Sequence, residues 1–252
     1  MDEENVNDTY KSNMDTSIKE IRSRIESACA RSGRDPNDIL LLAVSKTRTA
    51  SEIMPAIELG LHELGENKVQ EITAKYDEIN ERASALNDAP SVKWHMIGHL
   101  QRNKVRQIIG KVSLIHGVDS LALAEEIDKR AAALELPTPV DILIQVNVSE
   151  EDSKSGVAAG DAIQLVREIT AHCGHLRVRG LMTIAMAVDD PEDARGYFRK
   201  TRQLLEQIKD NLPSIGADMD ILSMGMSGDF EVAIEEGSTI VRIGTAIFGR
   251  RK

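Results

Sequence analysis

Eight short apolar runs, separated by stretches of helical character, constrain this chain more than any other feature. The runs fall at residues 39–44, 61–65, 92–98, 111–118, 140–148, 176–183, 219–223 and 238–243. The clearest of them, Ile39-Leu40-Leu41-Leu42-Ala43-Val44, is too short for a membrane span and too continuous for a half-solvated strand. It reads as a buried parallel strand. Helical spacing or helix stops mark 50–59, 66–80, 100–109, 120–134, 158–173, 191–211 and 229–236 between the runs. Strand-helix alternation implies parallel pairing with right-handed crossovers. Eight such units in 252 residues match the size of a closed (β/α)8 TIM barrel, an α/β fold. A doubly wound open sheet is the competing arrangement. The count of eight, and the lack of Gly-x-Gly-x-x-Gly after the first run, favour the barrel.

Little chain follows the eighth run. The helix expected at 16–32, with Ile18, Ile21, Ile25 and Ala28 at helical spacing, is therefore assigned to cover the seam between first and last strands. Residues 1–15 are polar and acidic with no apolar core segment, so they read as a disordered tail and not a signal peptide. That leaves 16–252 as a single barrel domain. The net charge of -10 argues against a nucleic-acid surface and an anionic membrane surface. Two cysteines, Cys29 and Cys173, lie in separate helical stretches and make neither a disulfide framework nor a cysteine metal site. Reduced thiols in the cytoplasm are expected.

The working face of a (β/α)8 barrel is the carboxyl end of its strands. Lys46 stands there, where the first strand ends against an apolar interior. Partial desolvation would disfavour its ammonium form and leave an amine able to form a Schiff base with an aldehyde. The alternative is a lysine that snorkels into solvent. Two stretches have phosphate character. Ser223-Met224-Gly225-Met226-Ser227-Gly228-Asp229 is a Gly- and Ser-rich turn opening a helix, and Arg242-Ile243-Gly244-Thr245 is a second turn after the last strand. Phosphate sites in such barrels use these two loops; a plain Ser-capped helix start is the alternative. His95 and His99 are separated by a strand-turn boundary and do not form a helical metal pair, so no metal site is expected. The polar loop 149–155 is a candidate lid or a solvated loop.

The residues taken together resemble a family. Ala43-Val44-Ser45-Lys46-Thr47, Gly65-Glu66-Asn67, Trp94-His95-Met96-Ile97-Gly98-His99-Leu100-Gln101, Leu181-Met182-Thr183-Ile184, Ser223-Met224-Gly225-Met226-Ser227 and Val241-Arg242-Ile243-Gly244-Thr245 are similar to the pyridoxal phosphate homeostasis protein family. The resemblance spans about residues 17 to 250 and implies a barrel like the alanine racemase N-terminal domain. It implies pyridoxal 5′-phosphate as cofactor, in Schiff-base linkage to Lys46. Ser227, Gly244 and Thr245 would cradle the phosphate, Arg242 would face the pyridine nitrogen, and Asn67, His95 and Met224 would line the pocket. Leu64, Lys68 and Arg102 depart from the family pattern at the rim.

The implied role is in vitamin B6 homeostasis, buffering the cofactor and delivering it to apo-enzymes; with no second domain to build a shared site, a monomer in the cytoplasm is expected. Arg242 is a donor only and would keep the ring nitrogen unprotonated, which weakens the ring as an electron sink. Tyr10, Tyr76 and Tyr197 are the only tyrosines, and none falls in a C-terminal domain of the kind that supplies a racemase's second base. Two alternatives stay open. One is an amino-acid racemase or decarboxylase on the same cofactor. The other is a barrel enzyme acting on a phosphorylated sugar with Lys46 as an aldolase-type amine.

Overall fold

The first strand, β1 (Leu40–Val44), pairs in parallel with β2 (Glu63–Glu66) on one side and with the last strand, β9 (Ile240–Ile243), on the other. That second pairing makes the sheet a ring. The computed structural model describes residues 3–86, 90–149 and 155–250. The remaining strands of the ring are β3 (Lys93–Met96), β4 (Leu114–Val118), β5 (Val140–Asn147), β7 (Leu176–Met182) and β8 (Ile221–Met226). Their order is β4-β3-β2-β1-β9-β8-β7-β5, with β5 joined back to β4, and every pairing is parallel. A two-residue strand, β6 (Val157–Ala158), adds to the end of β5 outside the ring. The (β/α)8 barrel expected from the eight runs is the fold.

Period-two alternation sorts side chains between the two sides of the ring. Leu42 and Val44 of β1 point inward with Ile97, Leu114, Leu143, Met182 and Ile240. Ala43, Leu64, Trp94, Ile115, Ile144 and Val241 point outward, into the larger core shared with the helices. The helices are α2 (Ala50–Glu58), α3 (Val69–Ser84), α4 (Leu121–Ala133), α5 (Ala162–His172), α6 (Arg195–Asn211), α7 (Pro213–Gly216), α8 (Phe230–Glu235) and α9 (Thr245–Phe248). The connection after β3, expected as a helix over 100–109, is a 3-10 turn, Arg102–Gln107. Fully buried Val105 and the residue that caps the turn, Ile108, are three apart, the 3-10 repeat.

The N-terminal helix, α1 (Glu3–Ser32), packs on α2, α8 and α9, the helices flanking β1 and β9. It covers the seam, as expected. Its start does not match the expected disordered tail: the helix already runs from Glu3, and Met14 is buried. The apolar stripe 14-18-21-25-28 continues one turn earlier than residue 16, and that turn has core to cover. Arg24 and Arg31 reach Glu231 and Glu235 on α8, and Arg34 donates to the carbonyl oxygens of Ile234 and Ser238.

The turn that ends β1 is braced from outside the ring. Thr47 takes a left-handed φ of 64°, costly for a β-branched residue, and donates its N–H to Glu71 on α3. Lys75, also on α3, donates to the Ser45 carbonyl oxygen at 3.1 Å, to Glu71 at 3.0 Å and to Glu66 Oε1 at 2.8 Å. Glu66 accepts from Ser45 Oγ at 2.7 Å through the same oxygen, while Oε2 is buried without a partner. Burial therefore dominates this carboxyl and pushes it up to about 7, against the opposing pull of Lys75.

At the carboxyl ends of β2, β3 and β4 the backbones nearly touch. A Cβ on Gly98 would sit 2.2 Å from the Asn67 carbonyl oxygen, and one on Gly117 would sit 2.7 Å from that of Gly98. Only glycine permits this approach, and it fixes where Asn67 stands.

Two outcomes are expected. The folded protein holds the Glu66 proton more tightly than the unfolded chain, so this group's contribution to stability falls as pH rises from 4.5 to about 7. Urea unfolding at a series of pH values should show Glu66→Gln gaining on the wild type across that interval, by up to ~3 kcal/mol. A difference independent of pH would contradict the assignment. Second, Gly98→Ala should lose roughly 3 kcal/mol in the same measurement, because backbone cannot give way. Gly228→Ala, whose Cβ meets nothing within 4 Å, should stay within ~0.5 kcal/mol.

Candidate functional site

One cavity of about 510 Å³ opens at the carboxyl ends of the strands. Its wall is built from the residues that follow the inward-facing positions of each strand. On β1 the inward series Leu42, Val44 continues to Lys46, which is half-buried in the cavity wall. On β2 the inward series passes Gly65 to Asn67, also in the wall. On β9 the register pairs Leu42 with Arg242, which places the guanidinium inside the ring, directly below the turn carrying Gly244 and Thr245.

The turn after β8 arrives through a bulge. Ser223 pairs with Ile240 and Met226 with Arg242, so β8 carries one extra residue between those pairs. Gly225, at φ 91°, absorbs it. The bulge turns Met226, Ser227 and Gly228 to the cavity. Asp229 closes this turn by accepting from the Met226 N–H at 2.6 Å. Burial raises the Asp229 carboxyl, against the pull of that hydrogen bond and the Arg242 charge. No described protein group accepts from the backbone N–H groups of Ser227, Gly228 or Thr245, so they are available to an anion.

Six of the eight residues singled out from the sequence, Lys46, Asn67, Ser227, Arg242, Gly244 and Thr245, share this cavity. His95 and Met224 are not among the residues lining it. Met224 is out of phase with the inward-facing Ser223 and packs among the helices. His95 lies deeper in the ring, 3% exposed, between Glu63 and His116. The wall also holds Arg48, Gln145 and Asn147, which the motifs did not assign to the cofactor. Gln145 and Asn147 were legible as inward positions of β5, one and two steps beyond Leu143. Arg48 is placed by the turn itself: its N–H donates to the Ser45 carbonyl and its side chain to that of Gly249. Most of loop 149–155 lies outside the described residues, so its reading as a lid has no structural counterpart here. Among the described residues no cluster of His, Cys, Asp and Glu could hold a metal ion.

Arg242 is the electrostatic centre. It is 5% exposed, and it donates Nη1 to the Ser223 carbonyl oxygen and to Ser223 Oγ, both at 2.7 Å, and Nη2 to the Thr183 carbonyl oxygen at 2.8 Å. Burial pulls the guanidinium down to about 10, opposed by the charge of Asp229. It remains a cation at neutral pH, held by neutral acceptors.

The family model of the alanine racemase N-terminal domain matches residues 17–252. A pyridoxal phosphate homeostasis protein of Aquifex aeolicus is 45% identical over 235 residues, which is 93% of this chain and 97% of the relative. A crystal structure of an unknown protein from Bifidobacterium adolescentis superposes with a TM-score of 0.87 at 36% identity, covering 98% of this chain and 97% of the other. The structure of PipY from Synechococcus elongatus, with pyridoxal phosphate bound, gives a TM-score of 0.74 at 33% identity over 91% of this chain and 100% of that one. With identity of that order kept from end to end, the chain belongs to the pyridoxal phosphate homeostasis protein family, built on a barrel of the alanine racemase N-terminal type.

Proposed function

We propose that the cavity takes pyridoxal 5′-phosphate and that the protein is a carrier in vitamin B6 homeostasis, holding the cofactor and releasing it to enzymes that lack it. The observation behind this reading is the donor set in one cavity: an amine at a strand end, two turns with unengaged N–H groups, and a buried guanidinium. That set fits a phosphorylated aldehyde with a ring nitrogen. Lys46 supplies the amine for a covalent link to the aldehyde. Ser227, Gly244 and Thr245 hold the phosphate through backbone and hydroxyl groups. Arg242 faces the ring nitrogen, and Asn67 bounds the side of the cavity. The ligand in the PipY structure supports the same choice. When bound, the cofactor supplies a reactive aldehyde and an electron-withdrawing ring.

Carriage is favoured over turnover by Arg242 together with the residues that line the cavity. A guanidinium donates but does not share a proton with the ring nitrogen, so the ring stays a weak sink for a carbanion. Tyrosine, a common partner base, is not among the residues lining the cavity. The protein acts as a cytoplasmic monomer, a setting that suits its two buried, unpaired cysteines. No helix among the described residues is long and apolar enough to cross a membrane.

Two measurements test this. Purified protein loaded with pyridoxal phosphate and reduced with borohydride should carry the pyridoxyl label on Lys46, and Lys46→Ala should lose both the label and the visible absorbance. Label on another lysine would overturn the site. In deuterated water the loaded protein should exchange the α-proton of amino acids no faster than the same concentration of free cofactor. Exchange well above that rate would put a racemase or decarboxylase in place of the carrier.

A further inference from the structure

The interior of the ring, below the cavity, holds four polar side chains that the cofactor contacts do not use. They form a line. Arg242 Nη1 donates to Ser223 Oγ at 2.7 Å. Ser223 Oγ lies 2.9 Å from His116 Nδ1, His116 Nε2 lies 2.9 Å from His95 Nδ1, and His95 Nε2 lies 2.7 Å from Glu63 Oε2. Ser223, His116 and His95 are buried, while Glu63 is 19% exposed and also meets Lys93 Nζ at 3.0 Å. The line therefore runs from the cavity to the amino-terminal mouth of the barrel.

Its direction is anchored at the carboxylate end. Arginine has no acceptor, so the Ser223 oxygen receives from Arg242, and in the arrangement we assign its hydrogen goes to His116 Nδ1. His116 then carries its proton on Nε2 and donates to His95 Nδ1. His95 carries its proton on Nε2 and donates to the Glu63 carboxylate, which is acceptor only. Every polar atom of the line has a partner in this arrangement with both rings neutral, whereas the reverse sense, with His116 Nδ1–H donating to the second lone pair of Ser223 Oγ, requires a doubly protonated His95 against Glu63. The electrostatics support a neutral His116 and an ionised Glu63. Burial, then His95 and then the Arg242 cation hold His116 well below the ordinary histidine value. Burial works to raise the Glu63 carboxyl, but the His95 hydrogen bond and Lys93 outweigh it and hold it below the usual range. A cation at one end and a carboxylate at the other polarise the chain in the same sense, which strengthens each link.

We propose that Ser223, His116, His95 and Glu63 are positioning residues for Arg242, a one-way chain of hydrogen bonds that fixes the guanidinium from below. Ser223 and Thr183 take three of its five N–H groups. The remaining two, Nε–H and one on Nη2, have no described protein acceptor and are left for a ligand in the cavity. The chain does not relay protons to that ligand, because it ends on a group that only donates. Its effect is orientation and distant charge balance for a buried cation that lacks a directly bonded carboxylate. The functional part of this inference rests on the cofactor reading above; the hydrogen-bond pattern does not.

The test has two arms. A long-range 1H–15N spectrum of the ligand-free protein at neutral pH should show His95 and His116 as neutral rings with the proton on Nε2. A proton on His116 Nδ1, or a doubly protonated ring at either position, overturns the proposal. In the second arm, His95→Gln keeps an acceptor and a donor in sequence, whereas His95→Leu keeps neither. Pyridoxal phosphate titrated by visible absorbance should bind His95→Leu about tenfold more weakly and His95→Gln within about threefold of wild type. The absorbance maximum should shift only in His95→Leu. A folded His95→Leu with wild-type affinity and spectrum overturns the proposal. If His95→Leu does not fold, Ser223→Ala, which removes one oxygen, is judged by the same criteria against Ser223→Thr. A wild type that takes up no pyridoxal phosphate counts against the cofactor reading, while the tautomer spectrum still decides the chain.

Discussion

A guanidinium that stays charged and is buried in a closed ring of strands needs acceptors, and the ring has to provide them. Arg242 imposes that condition on its neighbours. Most inward positions are aliphatic, from Leu42 and Val44 through Leu143 and Met182. Below the cavity, polar inward residues group around the arginine: Ser223, His116 and His95, with Glu63 beyond them. The bulge in β8 belongs to the same condition, since it lets Ser223 offer both its carbonyl and its hydroxyl to one nitrogen while its neighbours form the cavity turn. Pocket floor and barrel core are thus one construction.

Alternation along the strands divides the work between inside and outside. Lys46 faces the cavity, while its neighbour Ser45 faces α3 and joins Glu66 and Lys75. Asn67 faces the cavity, while its neighbour Glu66 braces the turn from behind. The positive φ of Thr47 is held by this outer cluster, so the placement of Lys46 depends on a helix that never touches the cavity. A short motif such as Gly65-Glu66-Asn67 therefore holds two jobs on opposite faces.

Much of this was legible in the chain. The eight apolar runs are dense enough that period and count alone indicate the barrel, and strand ends gather at one face whatever the register. What was not legible depends on register between distant strands. His95 stands out in the sequence, and the motif places it in the pocket wall. Its true depth follows from pairing with Gly65 and Leu114, which no local pattern shows. His116 belongs to no motif, and its one signal is a histidine in phase with Leu114 inside an apolar run. Met224 was read through its neighbours in the motif, and its phase relative to Ser223 is set by β8 itself. The helix start at Glu3 is hidden because composition argues for solvent there, and only the underlying core gives Met14 something to cover.

Closing β9 onto β1 has a consequence beyond the site. An open parallel sheet leaves a row of unpaired amides at each border, an invitation for another chain to extend it. This ring has no such border. Among the described residues the exception is Val157–Ala158, two residues long, too short to template much addition. A protein organised in this way can be abundant without its own sheet becoming a nucleus for self-association.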